Sequence, residues 1–299
     1  MNPQMNPLRA AALRMALLLI SACAAFAAPP GVRVFETGNS FHMKTVPALA
    51  EVIEAAGIKG HTLVGTMLLG GSRAITLWEK PDDQNSAKTA LKSGKVDVLT
   101  LCPWRQIPDP GVDEFVALAL ASNPNVRVTI QELWMAFDSP NAANPDVRKD
   151  VAEAEKAPTP WDEATGEKLN AIHADYFAAL EKQITAINKR NGKPVLLCVP
   201  TGHAAIALRE QIRLGKAPGI RRQAELFADR LGHPGAVLVQ LNAYCHFAVI
   251  YRQSPVGLLA PKTLGGIADA DRAPLARLLQ QLAWDAVKAH PLSGLGSSQ

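Results

Sequence analysis

Apolar residues alternate over residues 32–35 and stop at Gly38. They resume at helical spacing over 43–56, where Val46, Leu49, Val52 and Ile53 share one face. The first pattern predicts a short buried strand and the second an amphipathic helix, with Gly38-Asn39-Ser40 at the junction. The same succession repeats along the chain. Residues 61–69 (HTLVGTMLL) predict a second strand that ends on Gly70-Gly71-Ser72-Arg73. A polar stretch at 79–86 leads to a short helix ending near 91. Residues 96–102 predict a third strand, and the prolines at 103, 108 and 110 then break the chain into a loop. A helix is expected over 112–121, a fourth strand over 125–134 and a long helix over 162–189, closed by Asn191-Gly192. Residues 194–199 (PVLLCV) form an almost unbroken apolar run, as a parallel strand covered on both faces does. Helices follow at 204–214 and 221–227, then a mostly buried one at 236–251 and an amphipathic one at 272–288.

Five strands alternating with helices predict a single α/β domain. It is expected to be a three-layer α/β/α sandwich with a central, about five-stranded parallel sheet and right-handed crossovers. Ligands of such sheets gather beyond the carboxyl ends of the strands. That edge receives Asn39-Ser40, Gly70 to Arg73, Pro103 to Gln106, Glu132, Trp134 and His203, with the 229–234 loop within reach. Residues 138–165 differ from the rest, with four prolines and many charges, and read as a polar insertion or lid.

At 299 residues and 48% apolar, the chain is long enough for one large domain with a full core. The formal net charge is +4, with Arg9 and Arg14 contributing two of the positive charges, and no basic block interleaved with aromatics occurs. Nucleic-acid binding is not expected. Residues 1–28 look like an export signal: Arg9 and Arg14, an apolar run over 15–25, and Ala25-Phe26-Ala27 as a cleavage site. A second reading takes Ile20-Ser21-Ala22-Cys23 as a lipoprotein box, with a lipid anchor on Cys23. Soluble export, periplasmic or secreted, is preferred because the first site lies just before Pro29-Pro30. No other run is long enough to span a bilayer. Cys102, Cys198 and Cys245 are far apart in apolar settings and show no CxxC spacing, so they read as small buried hydrophobes. The seven histidines form no HExxH or similar cluster, and no metal or cofactor is expected.

The first turn is neither GxGxxG nor a phosphate loop, which sets nucleotide binding aside. Serine chemistry fits better. A serine hydroxyl needs a base to take its proton, and that base needs a carboxylate to fix its tautomer. Ser40 stands at a strand–helix junction, where it is either a nucleophile beside helix N–H groups or a helix cap. Asp229 and His233 supply an acid–base pair in one loop, or else a helix end and its cap.

Together, Gly38-Asn39-Ser40, Gly70-Gly71-Ser72 and Asp229…His233 resemble the blocks of the SGNH, or GDSL-like, hydrolases, and Gly-Asn-Ser-Phe with Ser254-Pro-Val-Gly-Leu258 resembles an exported bacterial branch. The looser similarity runs over 32–258. The resemblance implies a flavodoxin-like fold and an exported esterase without cofactor, acting on ester or O-acetyl groups, those of carbohydrate among them. Ser40 would be the nucleophile, His233 the base and Asp229 its partner. The N–H groups of Ser40 and Gly71 would form the oxyanion hole, with Gln106 or Arg105 as a substitute donor. Arg73, Asn39 and Trp134 are the expected substrate contacts. Two features depart from the family pattern. Three residues separate Asp229 from His233 instead of two, so the loop must bulge or another acid must serve. The third block, Cys102-Pro103-Trp104-Arg105-Gln106, has no asparagine. That absence motivates an alternative reading, a catalytically impaired protein of the same fold that binds a glycan or cell-wall fragment. A two-lobed solute-binding protein is a third reading, but strands for only one lobe are present.

Overall fold

The computed structural model describes residues 29–138 and 161–295. The export signal expected over 1–28, Cys23 included, and most of the insertion expected at 138–165 lie outside the described residues. Five strands form one all-parallel sheet in the order β2-β1-β3-β4-β5. They are β1 (Arg33–Gly38), β2 (Thr62–Leu68), β3 (Val98–Leu101), β4 (Arg127–Gln131) and β5 (Leu196–Val199). Eight α-helices are described: α1 (Thr45–Ala55), α2 (Ala74–Trp78), α3 (Ser86–Lys92), α4 (Pro110–Ser122), α5 (Gly166–Asn191), α6 (Thr201–Arg213), α7 (Ala236–Tyr251) and α8 (Asp269–Ala289). The chain is thus the expected α/β/α sandwich. Helices α1, α7 and α8 pack in sequence along one side, and α2 and α3 pack on α4 along the other.

Burial explains the patterns. Strands β3 and β5 are covered throughout, which is why they read as unbroken apolar runs. Helix α7 is buried from Val237 to Tyr251, because the sheet, α1 and α8 surround it, and its sequence therefore shows no polar stripe. Strand β2, expected as a strand rich in apolar residues, is the least covered of the five. It is the sheet's edge, and Leu63 and Val64 are exposed. Helix α2 lies in a stretch where no element was expected. It is only five residues long, and the Asp109 carboxylate accepts the N–H groups of Ala74 and Ile75 at 2.7 and 2.9 Å. An anion from elsewhere in the chain thus stabilises a helix start that has no local cap. The helix expected at 221–227 is a single 3-10 turn, Gln223–Leu226. The three cysteines are free and buried, and burial pushes the Cys102 thiol up to about 12.

One face of the sheet carries a polar seam under α7. Register places Glu36 of β1 beside Thr100 of β3, and Thr100 beside Thr129 of β4. His42, fully buried just before α1, bridges Glu36 Oε2 at 2.6 Å and Gln131 Oε1 at 2.8 Å. His246 of α7 reaches the same Gln131 oxygen at 3.0 Å. The seam pins the turn after β1 to the middle of the sheet.

Two buried histidines make the fold acid-sensitive. Burial pushes His173 down from the ordinary 6.5 to about 4, against the opposing effect of its bond to Leu169 O. Its Nε2 must stay unprotonated to accept the Met135 N–H at 2.8 Å. Burial likewise lowers His246 well below 6.5, reinforced by nearby His42. Between about 6.5 and 4 the unfolded chain therefore binds more protons than the folded one. The stability these neutral rings contribute is complete above pH 6.5 and is lost as pH falls toward 4. The urea midpoint is expected to drop steeply between pH 7 and 5, and less steeply in His173→Gln. An identical pH profile for the variant would remove His173 from this account.

Candidate active site

The end of β1 presents Ser40. Gly38 is buried, and a Cβ there would stand 2.7 Å from the Cys102 Cβ, so only glycine lets β1 and β3 end this close together. Asn39 follows, fully buried, with Nδ2 donating to Cys102 O at 3.0 Å and Oδ1 accepting the Phe41 N–H at 3.0 Å. The turn throws Phe41 and His42 inward and leaves Ser40 half-buried at the surface.

The Ser40 hydroxyl lies 2.7 Å from His233 Nε2, and His233 Nδ1 lies 2.6 Å from Asp229 Oδ2. An ionised carboxylate only accepts, so Nδ1 donates to Asp229 and Nε2 is left to accept the Ser40 O–H. Partial burial raises the Asp229 carboxyl, but its bonds to the His233 ring and to the His233 and Gly232 N–H groups outweigh this and hold it below the usual carboxylate value. The three-residue spacing is accommodated by a bulge. Asp229 Oδ1 accepts the N–H groups of Gly232 (3.1 Å) and His233 (3.2 Å), while Gly232 takes a φ of 95°. The Ala228 N–H bonds His233 O at 2.8 Å, and Phe227 and Pro234 form a bridge that closes the loop.

Beyond β2, Gly71 turns at a φ of 66°, and a Cβ there would meet nothing within 4 Å, so the backbone there is open to approach. The turn is tied to β1 by Leu69 N–H and Ser72 Oγ, which both donate to Gly38 O, at 3.0 and 3.3 Å. Among the described residues, the N–H groups of Ser40 and Gly71 donate to no protein acceptor.

Other expected contacts are placed differently. Asn39 is a buried brace with both ends of its amide engaged, so it offers nothing to a substrate. Trp134 is also buried. Its Nε1–H donates to Gly232 O at 2.9 Å, and its ring packs on Phe41, whose own ring lies against His233. Arg73 is half-buried, with Nε 3.7 Å from Asp109 Oδ2 and Nη2 donating to Pro108 O at 3.5 Å. Gln106 is half-buried and already engaged within the chain. Glu132, expected at a strand end, is buried and bonds His203.

Sequence reasoning did not find Arg209. Fully buried in α6, it makes a bidentate pair with Asp138 (2.6 Å each), bonds Trp161 O (3.1 Å) and Gln223 Oε1 (2.6 Å), and lies 5.5 Å from the Trp161 ring. Asp138 and Trp161 flank residues 139–160. Trp161 stacks on Phe227 at 4.1 Å, directly under the 229–233 loop. Arg209 thus ties Asp138 and Trp161 to each other and to the support of His233. An arginine in an ordinary helical face gives no sequence signal for this. Arg209→Met leaves the Asp138 carboxylate buried without its partner and is expected to cost about 3–5 kcal/mol, read from the urea midpoint. A change within error would show that water replaces the guanidinium.

No protein-family model matches the chain, and no curated protein sequence matches it. Its structural neighbours include SGNH and GDSL-like hydrolases and acyltransferases. A Slackia heliotrinireducens protein described as an SGNH hydrolase aligns over 72% of this chain and 96% of its own, at 15% identity and a TM-score of 0.42. A Parabacteroides merdae protein described as a GDSL-like lipase aligns over 73% and 94%, at 12% identity and 0.42. The periplasmic domain of a Salmonella Paratyphi A lipopolysaccharide acetyltransferase aligns over 56% and 66%, at 14% identity and 0.37.

Proposed function

We propose that the chain is an exported serine hydrolase of carboxylic esters, O-acetyl esters included. The supporting observation is the continuous relay from the Ser40 hydroxyl through His233 to Asp229, at 2.7 and 2.6 Å. Ser40 Oγ attacks the acyl carbon while His233 Nε2 takes its proton, and Asp229 stabilises the resulting imidazolium. The N–H groups of Ser40 and Gly71 receive the negative oxygen. Collapse of the intermediate breaks the ester bond, and the departing alkoxide takes the proton from His233. Water, deprotonated by the same ring, then releases the acid and restores Ser40. No step requires a cofactor. Export rests on residues 1–28, and the resemblance suggests carbohydrate as the alcohol portion. No helix among the described residues is long and apolar enough to cross a membrane.

A second reading, a binding protein of the same fold without turnover, is motivated by the loop after β3. That loop lacks an asparagine, and one missing donor costs on the order of 3 kcal/mol of transition-state stabilisation. A fluorophosphonate probe separates the two readings: labelling at Ser40 requires an activated hydroxyl, whereas a silent site leaves the chain unmodified. In the active case, Ser40→Ala and His233→Ala are expected to lower kcat/KM on p-nitrophenyl acetate on the order of 10⁴-fold or more, and Asp229→Asn by roughly 10⁴-fold. Activity equal to the native protein in Ser40→Ala and His233→Ala would overturn the assignment.

A further inference from the structure

We propose that Glu132, His203 and His290 form a binding site for a divalent cation of the zinc class, built on elements other than those that carry Ser40 and His233. The three residues are remote in sequence. Glu132 follows β4, His203 stands in the first turn of α6, and His290 caps the end of α8. The fold brings one ligand atom from each within 4.8 Å of the others.

The polar atoms here are arranged for an ion. The Glu132 side chain is 1% exposed, and His203 and His290 are the basic groups beside it. Its Oε1 is held by the His203 backbone N–H at 3.0 Å and by His203 Nδ1 at 2.8 Å. Its Oε2 is buried with no hydrogen-bond partner, and so is His290 Nε2. These two orphaned atoms face each other at 3.8 Å, and Glu181 Oε1 stands 3.4 Å from the same nitrogen. Both separations exceed an N–H···O bond. They fit two ligands of one ion, since groups about 2.0–2.1 Å from a tetrahedral centre lie about 3.3 Å apart. A buried carboxylate oxygen and a buried imidazole nitrogen that satisfy nothing else are costly unless a third body lies between them.

The donor set selects the ion. Imidazole nitrogens with a carboxylate suit zinc and its neighbours, whereas calcium and magnesium take oxygen cages. His290 turns its Nε2 toward Glu132 and Glu181. Its Nδ1 now accepts the Leu292 N–H at 3.2 Å. Ligation through Nε2 places the ring proton on Nδ1 and gives up that long contact. The side chains of His203 and Glu181 are each about 40% exposed and provide the way in. Gly202 makes the close approach feasible, because a Cβ there would meet Leu133 O at 2.6 Å and Glu132 Oε1 at 2.9 Å. A bound ion would fasten the end of α8 to the carboxyl edge of the sheet.

The test is calorimetric titration of the chelator-treated full chain with Zn²⁺, and with Mg²⁺ as the hard-ion control. A Co²⁺ absorption spectrum reports coordination number independently of activity. One equivalent of Zn²⁺ is expected, with the intense visible bands of four-coordinate Co²⁺. Affinity should fall about tenfold or more in His203→Ala and in His290→Gln and stay unchanged in Ser40→Ala. His203→Ala changes a half-exposed side chain and decides the matter if His290→Gln does not fold. No stoichiometric Zn²⁺ binding, equal binding of Mg²⁺, or native affinity in His203→Ala would each overturn the site.

Discussion

The carboxyl edge of this sheet depends on how β1 stops, and the Asn39 amide decides that. One end of the amide holds Cys102 O at the end of β3, and the other accepts the Phe41 N–H two residues on. An Asx turn of this kind stands in for a backbone turn and so fixes where the chain goes after β1. Phe41 enters an aromatic cluster with Trp104 and Trp134, at 5.3 and 5.4 Å between ring centres. His42 enters the polar seam against Glu36 and Gln131. Ser40, between the brace and these anchors, has only one direction left, toward His233. Its position is thus set by buried neighbours on both sides, and not by anything in the solvent.

The acid–base loop meets Ser40 by a separate route. Between Asp229 and His233 an extra residue must be absorbed without moving the ring. Gly232 does this at a φ of 95°, and a Cβ there would stand 3.2 Å from the Trp161 ring. The backbone conformation and the packing therefore both ask for glycine. Trp134 fixes the carbonyl of the same residue, and Trp161 is fixed in turn by Arg209. The loop is stiff although its acid is exposed, because its inner side rests on two buried indoles.

The layered architecture was legible because the apolar periods are clean: period two or unbroken runs for strands, 3.6 for helices. The Ser40, Asp229 and His233 positions were legible because each occupies a strand end or a short polar loop. What local pattern does not encode was missed. The α2 helix is capped by Asp109, more than thirty residues away. β2 carries the apolar residue types of a strand, but its place at the edge is set by sheet order alone. Asn39 and Trp134 read as ligands because they lie at the correct edge, yet both point behind it. Glu132, His203 and His290 carry no spacing signal, since each comes from a different element. Position along a strand can be read from the sequence, whereas inward or outward direction past its end is set by tertiary partners.

The missing asparagine after β3 has a physical counterpart in what that loop does instead. Trp104 is buried against Phe41, and its backbone N–H donates to Ser72 O at 3.1 Å. Asp109, at the loop's far end, accepts Ala74, Ile75 and Gly111 N–H groups together. Burial raises its carboxyl against the pull of these bonds, the signature of an acid kept inside for its hydrogen bonds and not for contact with solvent. The segment from Ser72 to Ile75 is thereby clamped from the β3 side, while Gly38 O holds Leu69 and Ser72 from the β1 side. Gly70 and Gly71 are the two residues left between the clamps. A hole of two backbone donors stabilises an oxyanion only if neither donor reorganises as the charge forms. Here the loop that lacks the asparagine restrains the turn that carries a backbone donor.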